Sequence, residues 1–254
     1  MYKLCFSTLA CMDCDAKKLK ELCDKFGLDA VEIRQKKDGS FVYDEKLNIT
    51  DIGTGVCLKG YDKNQISAAK EVLEKIKDTS VKAIRIFLGN FAVMKNEKKD
   101  KLDYDGIVMA IREIADSTKK QIWIETHNEF STGEMLKKLL CDVKRDNVFV
   151  IWDVMHPFED GEPVRKTWEY IGKYVAHVHI KDGKKSRNLQ KHDFDYTDFG
   201  EGEVPVREVL KILKENNYNA YISAEWEGAS RKELENCDNR IESVLERFVN
   251  FIKK

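Results

Sequence analysis

Two rhythms of apolar and polar positions alternate along the chain. Short, nearly continuous apolar runs are separated by longer segments in which apolar residues recur every three or four positions. The runs read as strands over Tyr2–Leu9, Ala30–Arg34, Gly55–Lys59, Ala83–Leu88, Gln121–Thr126, Val148–Val154, Val175–Ile180 and Ala220–Trp226. The periodic segments read as helices over Asp15–Phe26, Gln65–Lys77, Tyr104–Ala115, Thr132–Leu140, Val164–Tyr174, Val206–Asn216 and Asn239–Ile252. Ile66, Ala69, Val72, Leu73 and Ile76 fall on one helical face, and Gly27 stands where a left-handed cap stops the first helix. The third unit is the weakest: Asp44–Thr50 reads as a short helix or as loop, ahead of the Gly55–Lys59 strand.

Strands buried on both faces and spaced by helices pair in parallel through right-handed crossovers. Eight such units in 254 residues predict an α/β protein, one (β/α)8 TIM barrel over residues 1–254 with an irregular second βα unit. An open doubly wound sheet fits less well, because no glycine-rich phosphate turn follows the first strand. With three prolines in all, no linker divides the chain.

Charge narrows the partners. Forty-four basic and forty-five acidic residues leave a net charge of −1, without the basic excess of a nucleic-acid binder. No stretch reaches the ~18 apolar residues of a membrane span, and the short apolar start has neither a basic leader nor a cleavage site. Seven scattered cysteines fit a reducing compartment, so a cytoplasmic protein without membrane or nucleic-acid partners is expected. Cys11 and Cys14 form a lone C-x-x-C, read as ordinary thiols.

Candidate chemistry gathers at strand ends. In a parallel barrel every C-terminal strand end reaches one rim. Four consecutive strands end there in ligand-type residues: IWIETHN with Glu125, VIWDVMH with Asp153, HVHIKD with His179 and YISAEWE with Glu225. Crowded without a cation, these groups repel and desolvate one another. Three carboxylates and an imidazole suit one divalent ion of the Mn, Mg, Co or Zn kind. His156, just past Asp153, faces the same pocket. Ser223, Glu225 and Glu227 share one strand face, as do His177, His179 and Lys181. His177 sits deeper and reads as a hydrogen-bonded core histidine, while His192 reads as solvated loop.

The segments STLACMDC, GLDAVEIR, IRIF, IETHN, WDVMHP, HVHIKD, FGEGEVP and AEWE occur in this order along nearly the whole length. In this arrangement the chain resembles the xylose isomerase-like TIM barrels, a superfamily of sugar and sugar-phosphate isomerases and epimerases. The resemblance implies that Glu125, Asp153, His179 and Glu225 bind one metal. It further implies that Glu125 and Glu225 are acid and base, and that His156 contacts substrate. The ketose epimerases place an Arg soon after the metal histidine; here Lys185 occupies that neighbourhood, with Arg187 close by. The abasic-site endonucleases of the same superfamily need histidines on early strands and an Asp-x-His after the seventh strand. This chain has no His before His127, and FDYTDFG lacks that pair, so phosphodiester cleavage is the least favoured reading.

The expected substrate is a small sugar or sugar phosphate. A metal would polarise neighbouring oxygens of a hydroxycarbonyl compound and stabilise the enediolate left by proton removal. Epimerisation, aldose–ketose isomerisation and loss of a β-hydroxyl, which would make a dehydratase, all remain open at this level. His127 shares the parity of Glu125 and is expected to line the pocket. Lys181 is read either as a substrate contact or as the partner of a carboxylate, Glu32 either as a hydroxyl-binding group or as the partner of Arg34 or another rim charge. Trp226 reads as core, with a pocket wall as its functional alternative. The long loop 183–204 is a candidate lid whose Lys185 and Arg187 would meet phosphate or solvent. A homodimer is expected by analogy alone.

Overall fold

A computed structural model describes residues 2–92, 94–191, 193–228 and 230–254; His192 lies outside them. Strands β1 (Lys3–Ser7), β2 (Ala30–Arg34), β3 (Ile49–Leu58), β4 (Ala83–Leu88), β5 (Gln121–Glu125), β6 (Val148–Asp153) and β7 (Val175–Ile180) run in sequence order around a parallel barrel. A two-stranded antiparallel hairpin follows, β8 (Asp182–Lys184) with β9 (Asp195–Thr197). Strand β10 (Tyr221–Ala224) then closes the barrel between β7 and β1.

The helices α1 (Ala16–Phe26), α2 (Lys63–Ile76), α3 (Tyr104–Asp116), α4 (Gly133–Val143), α5 (Met155–Glu159), α6 (Val164–Ile171), α7 (Val206–Glu215) and α8 (Ile241–Lys253) accompany the strands. Their ends follow local chemistry. Asp15 caps α1 by accepting from the Lys18 amide at 2.8 Å, and Gly27 ends it at φ +64°. The main core lies between barrel and helices and is built from outward strand residues such as Ile84, Ile122, Val150 and Ile222 packed on the helices' apolar faces. None of the helices among the described residues is long and apolar enough to cross a membrane.

The second unit is irregular in the way expected, since no helix separates β2 from β3. Its third strand is a correction. Residues 44–48 form no helix, and β3 begins at Ile49 and continues for ten residues, where the apolar pattern suggested only Gly55–Lys59. Almost all of β3 is buried and its pairing with β4 shifts between Gly53 and Cys57, so it never shows a simple alternation. Gly53 is needed there, because a Cβ would fall 3.0 Å from Arg85 Nη2 inside the barrel.

The loop after β7 is also more ordered than a simple lid. The buried Asp182 carboxylate accepts from the amides of Gly183, Gly200, Gly202 and Val204 at 2.8, 2.9, 3.0 and 3.2 Å. That cluster of acceptances explains the FGEGEV segment: a Cβ at Gly202 would sit 2.1 Å from Asp182 Oδ1, and Gly200 needs φ +85°.

Candidate metal centre and active site

Alternation along the strands turns an unusual set of polar groups into the barrel. Register aligns Ser7 with Glu32, Asp153 with His179, and His179 with Ser223. The lower barrel is apolar, with Ala83, Trp123 and Ile151 in contact. Above it Glu32, Asp51, Arg85, Glu125, Asp153 and His179 are all essentially inaccessible to solvent. Burying so many ionisable groups requires close compensation.

Glu125, Asp153, His179 and Glu225 each offer one ligand-type atom, and these atoms lie within 4.8 Å of one another. His179 Nδ1 stands 3.0 Å from Glu225 Oε2 and 3.7 Å from Glu125 Oε1. Glu125 Oε2, Asp153 Oδ2, His179 Nδ1 and Glu225 Oε2 have ion-pair neighbours but no hydrogen bond of acceptable geometry. Hard oxygen donors plus one imidazole, converging and unsatisfied, fit a divalent cation of the Mn, Mg, Co or Zn kind.

Lys181 and Arg85 are the cations nearest this cluster. Lys181 Nζ is 2.7 Å from both Asp153 Oδ2 and Glu225 Oε2, and 3.1 Å from Glu227 Oε1. These distances fit its reading as a carboxylate partner, and Lys181 lies in the cavity lining as well. Arg85, not singled out in the sequence, lies with Nε 3.2 Å from Glu125 Oε2 and its guanidinium carbon 3.7 Å from the centre of the Phe87 ring. Burial pushes the Glu225 carboxyl up, yet His179 and Lys181 outweigh it and hold the group well below its ordinary range. Burial dominates at Asp153, which rises to about 6 although Lys181 and His156 pull the other way.

A cavity of about 250 Å³ opens above the cluster, with Glu125, Glu225 and Lys181 in its lining. His127 and His156 form part of its wall, their ring centres 4.2 Å apart. His156 comes from α5, and its Nδ1 is 2.6 Å from Glu159 Oε1 while Nε2 is 3.5 Å from Asp153 Oδ2. Burial alone would lower it, but the two carboxylates raise it to about 9, so it is charged at neutral pH. Burial, with His156 beside it, lowers His127 to about 4 and keeps it neutral. Phe87, Phe91 and His127 make an edge-to-face aromatic wall, with Phe87 to Phe91 at 4.9 Å.

A second polar group, with Asp193, Glu227 and Arg231, belongs to the cavity lining. Arg231 donates to Glu227 Oε2 at 2.9 Å, to the Tyr196 hydroxyl at 2.9 Å and to Asp193 Oδ2 at 3.2 Å. This clasp ties the segment after β10 to the β8–β9 hairpin. Of this group the sequence singled out only Glu227, by its shared face with Ser223 and Glu225.

Where the sequence left two readings open, the structure favours the plainer one at Glu32, Trp226, Lys185 and Arg187, and it corrects one reading, at His177. Glu32 does not line the cavity; its Oε2 lies 2.8 Å from His179 Nε2 and its Oε1 accepts from Ser7 Oγ at 3.1 Å. From β2 it is Arg34, two residues farther along, that reaches the cavity. Trp226 is no pocket wall: it packs on Phe199 outside the barrel and donates to Asn239 Oδ1 at 2.7 Å, because it shares the outward parity of Ile222 and Ala224. Lys185 and Arg187 are exposed on the hairpin loop and absent from the cavity lining. His177 is buried as expected, but among the described residues Nδ1 has no hydrogen-bond partner, and Nε2 lies 3.8 Å from Cys5 Sγ and 3.6 Å from Glu32 Oε2.

A closed parallel barrel with a buried acid–imidazole cluster at the C-terminal strand ends defines the class. The xylose isomerase-like TIM barrel model matches residues 9–247, and the chain belongs to that family. Inosose dehydratase of Clostridium botulinum (strain Eklund 17B) is 30% identical over 125 residues, 42% of this chain and 41% of that protein. The chain thus aligns with less than half of that relative's length. Inosose isomerase of Bacillus velezensis is 25% identical over 249 residues, 88% of each chain. The crystal structure of the IolI protein with a bound zinc atom superposes with a TM-score of 0.74, at 19% identity, over 99% of this chain and 98% of that one. At that identity the likeness speaks for the fold.

Proposed function

We propose that this protein is a divalent-metal-dependent isomerase or epimerase of a small hydroxyketone of the sugar or cyclitol class. The observation that carries this reading is the convergence of Glu125, Asp153, His179 and Glu225 within 4.8 Å, directly beneath the cavity. The volume of about 250 Å³ falls just short of the ~300–1,000 Å³ of drug-sized sites and suits one small polyol. Lys181 is engaged by three carboxylates and Lys185 and Arg187 lie outside the cavity lining, so a phosphorylated substrate would meet Arg34 or Lys99 instead.

A divalent ion held by these residues would supply Lewis acidity toward adjacent substrate oxygens. The chain itself supplies the proton handling. Glu225 and Glu125, whose pKa values His179 holds down against the effect of burial, both start as bases; one takes the proton from a substrate carbon, and the other returns a proton only after it has itself been protonated. Charged His156, oriented by Glu159, presents Nε2 to a substrate oxygen, and the aromatic wall of Phe87 and Phe91 meets the C–H face of the ligand. Burial of the floor keeps bulk water from the carbanionic intermediate.

A second reading has its own support. A charged imidazole aimed into the cavity can protonate a departing hydroxyl, as a dehydratase requires, and one relative bears that name. One experiment covers both. Purified protein should carry about one divalent ion per chain, removable by chelator. With inosose or a ketose in deuterated water, carbon-bound deuterium in an isomer or epimer supports the first reading, and an absorbing enone or diketone supports the second. Stripped protein that takes up no manganese, cobalt, magnesium or zinc would sink both.

Lys181 permits a separate check. Its ammonium contacts two of the four candidate ligands, so a dication entering the cluster meets repulsion from it. The Lys181→Met variant removes that repulsion and leaves the empty cluster less well compensated, both of which favour the metal. Titration calorimetry is expected to show binding tighter by roughly tenfold, a change of about 1.4 kcal/mol. Equal or weaker binding would show that the ammonium does not compete.

A further inference from the structure

Glu32 is a buried carboxylate that the proposed chemistry does not use. It sits below the cavity floor, 1% exposed, on β2. Its Oε1 accepts from Ser7 Oγ at 3.1 Å, and its Oε2 is 2.8 Å from His179 Nε2 and 3.4 Å from Ser223 Oγ. Each anchor comes from a different strand, β1, β7 and β10, so the carboxylate is held from three sides. On the other side of the same imidazole, Nδ1 faces Glu125 and Glu225 without a hydrogen bond. The ring therefore lies between an anchored carboxylate and the metal-type cluster.

We infer that Glu32 is a positioning residue for the metal centre: by accepting the Nε2–H of His179 it fixes the tautomer and ring plane that present Nδ1 as ligand. The inference rests on the metal reading above. An imidazole has one lone pair to give, and which nitrogen gives it is decided by the proton on the other. A carboxylate behind a ligating histidine settles that choice, makes the ring a stronger donor and prevents it from turning. The chain can meet this need only from the barrel interior, because both faces of the ring are enclosed and His179 is fully buried. Ser7 and Ser223 then act in relay, holding a carboxylate that would otherwise be free to swing toward His177, whose Nε2 is 3.6 Å away.

The same residues contain the rival explanation. Glu32, His177 and His179 also bring ligand-type atoms within 4.8 Å of one another, so the trio is a candidate metal site in its own right. Filling the trio together with the cluster would make His179 ligate through both nitrogens, and two equivalents of metal would report it. The trio alone depends on His177, so a His177→Ala variant would lose Co²⁺ there and is expected to keep it at the cluster.

The test uses Co²⁺ as probe on the chelator-stripped full-length protein. Wild type is expected to bind one equivalent by calorimetry, and its NMR spectrum to show a paramagnetically shifted, exchangeable imidazole N–H that is slow to exchange. The Glu32→Ala variant should weaken binding by ~10–100-fold and lose that protected resonance. Glu32→Gln keeps an acceptor oxygen without the charge and should fall between, with the resonance retained. Ser7→Ala, which removes only the Oε1 anchor, should give a smaller loss in the same direction and keeps the test open should Glu32→Ala fail to fold. Two equivalents of Co²⁺ in wild type, or unchanged affinity and resonance in both Glu32 variants, would overturn the inference. No cobalt binding by wild type would instead overturn the metal reading itself.

Discussion

The Glu225→Gln variant is expected to lose ~10²–10⁴-fold in kcat while remaining folded. Glu225 is the best-placed base in the cavity. In the metal-free protein two cationic groups touch the same oxygen, Lys181 Nζ at 2.7 Å and His179 Nδ1 at 3.0 Å, and together they overcome burial to keep the group ionised; in the loaded protein the ion would take over the part of His179. The amide keeps the shape and one oxygen but can neither take a proton nor carry the charge. The fold should persist because Lys181 retains Asp153 and Glu227, and His179 retains Glu32. A matched pair of thermal melts, a cobalt titration and solvent-deuterium exchange would separate the consequences. Lost exchange with metal still bound places Glu225 in proton transfer; lost exchange together with lost metal places it chiefly as a ligand. A kcat within a few-fold of wild type would remove it from both roles.

What the sequence discloses follows from how strongly each feature is written in a period. Seven of the eight barrel strands lie within their apolar runs to within a few residues, since a strand covered on both faces must be apolar throughout. Strand β3 escapes because Asp51, Gly53 and Thr54 interrupt its run, and each has a partner or space only tertiary structure provides: Thr54 Oγ1 donates to Arg85 O at 2.7 Å, and Gly53 makes room for the Arg85 guanidinium. The cluster of Glu125, Asp153, His179 and Glu225 is legible because four polar residues end four apolar runs at equal depth. The alternation that turns Glu225 and Glu227 inward also turns Trp226 outward, so its place was available from parity. Arg85 carried a fainter signal, a charge in the middle of AIRIFL. Tyr196, Asp193 and the clasp they form with Arg231 left none, because they meet through a hairpin closed by Asp182 across a loop of no periodicity. Glu32 was visible as a strand-end acid, but its direction depends on Ser7 and His179, more than 20 and 140 residues away.

Arg85 makes the largest prediction for stability. Its guanidinium is fully buried, Nε 3.2 Å from Glu125 Oε2, with Nη1 donating to Thr54 O at 3.0 Å and its carbon 3.7 Å from the centre of the Phe87 ring. The Arg85→Met variant keeps much of the stem and removes the charge, leaving Glu125 facing Glu225 without its guanidinium neighbour. Breaking a buried pair from one side costs about 3–5 kcal/mol. At a few degrees per kcal/mol for a chain of this size, the metal-free protein is expected to melt on the order of 10 °C lower. The metal reading adds a sharper consequence. If Glu125 is a ligand, a bound dication takes over part of the compensation, and the loss measured in cobalt-loaded protein must be smaller than in stripped protein. The double variant Arg85→Met/Glu125→Gln removes the stranded charge and should recover part of the metal-free loss, but none of the metal affinity. Equal losses with and without cobalt would show that Glu125 neutralises Arg85 alone and does not reach the ion.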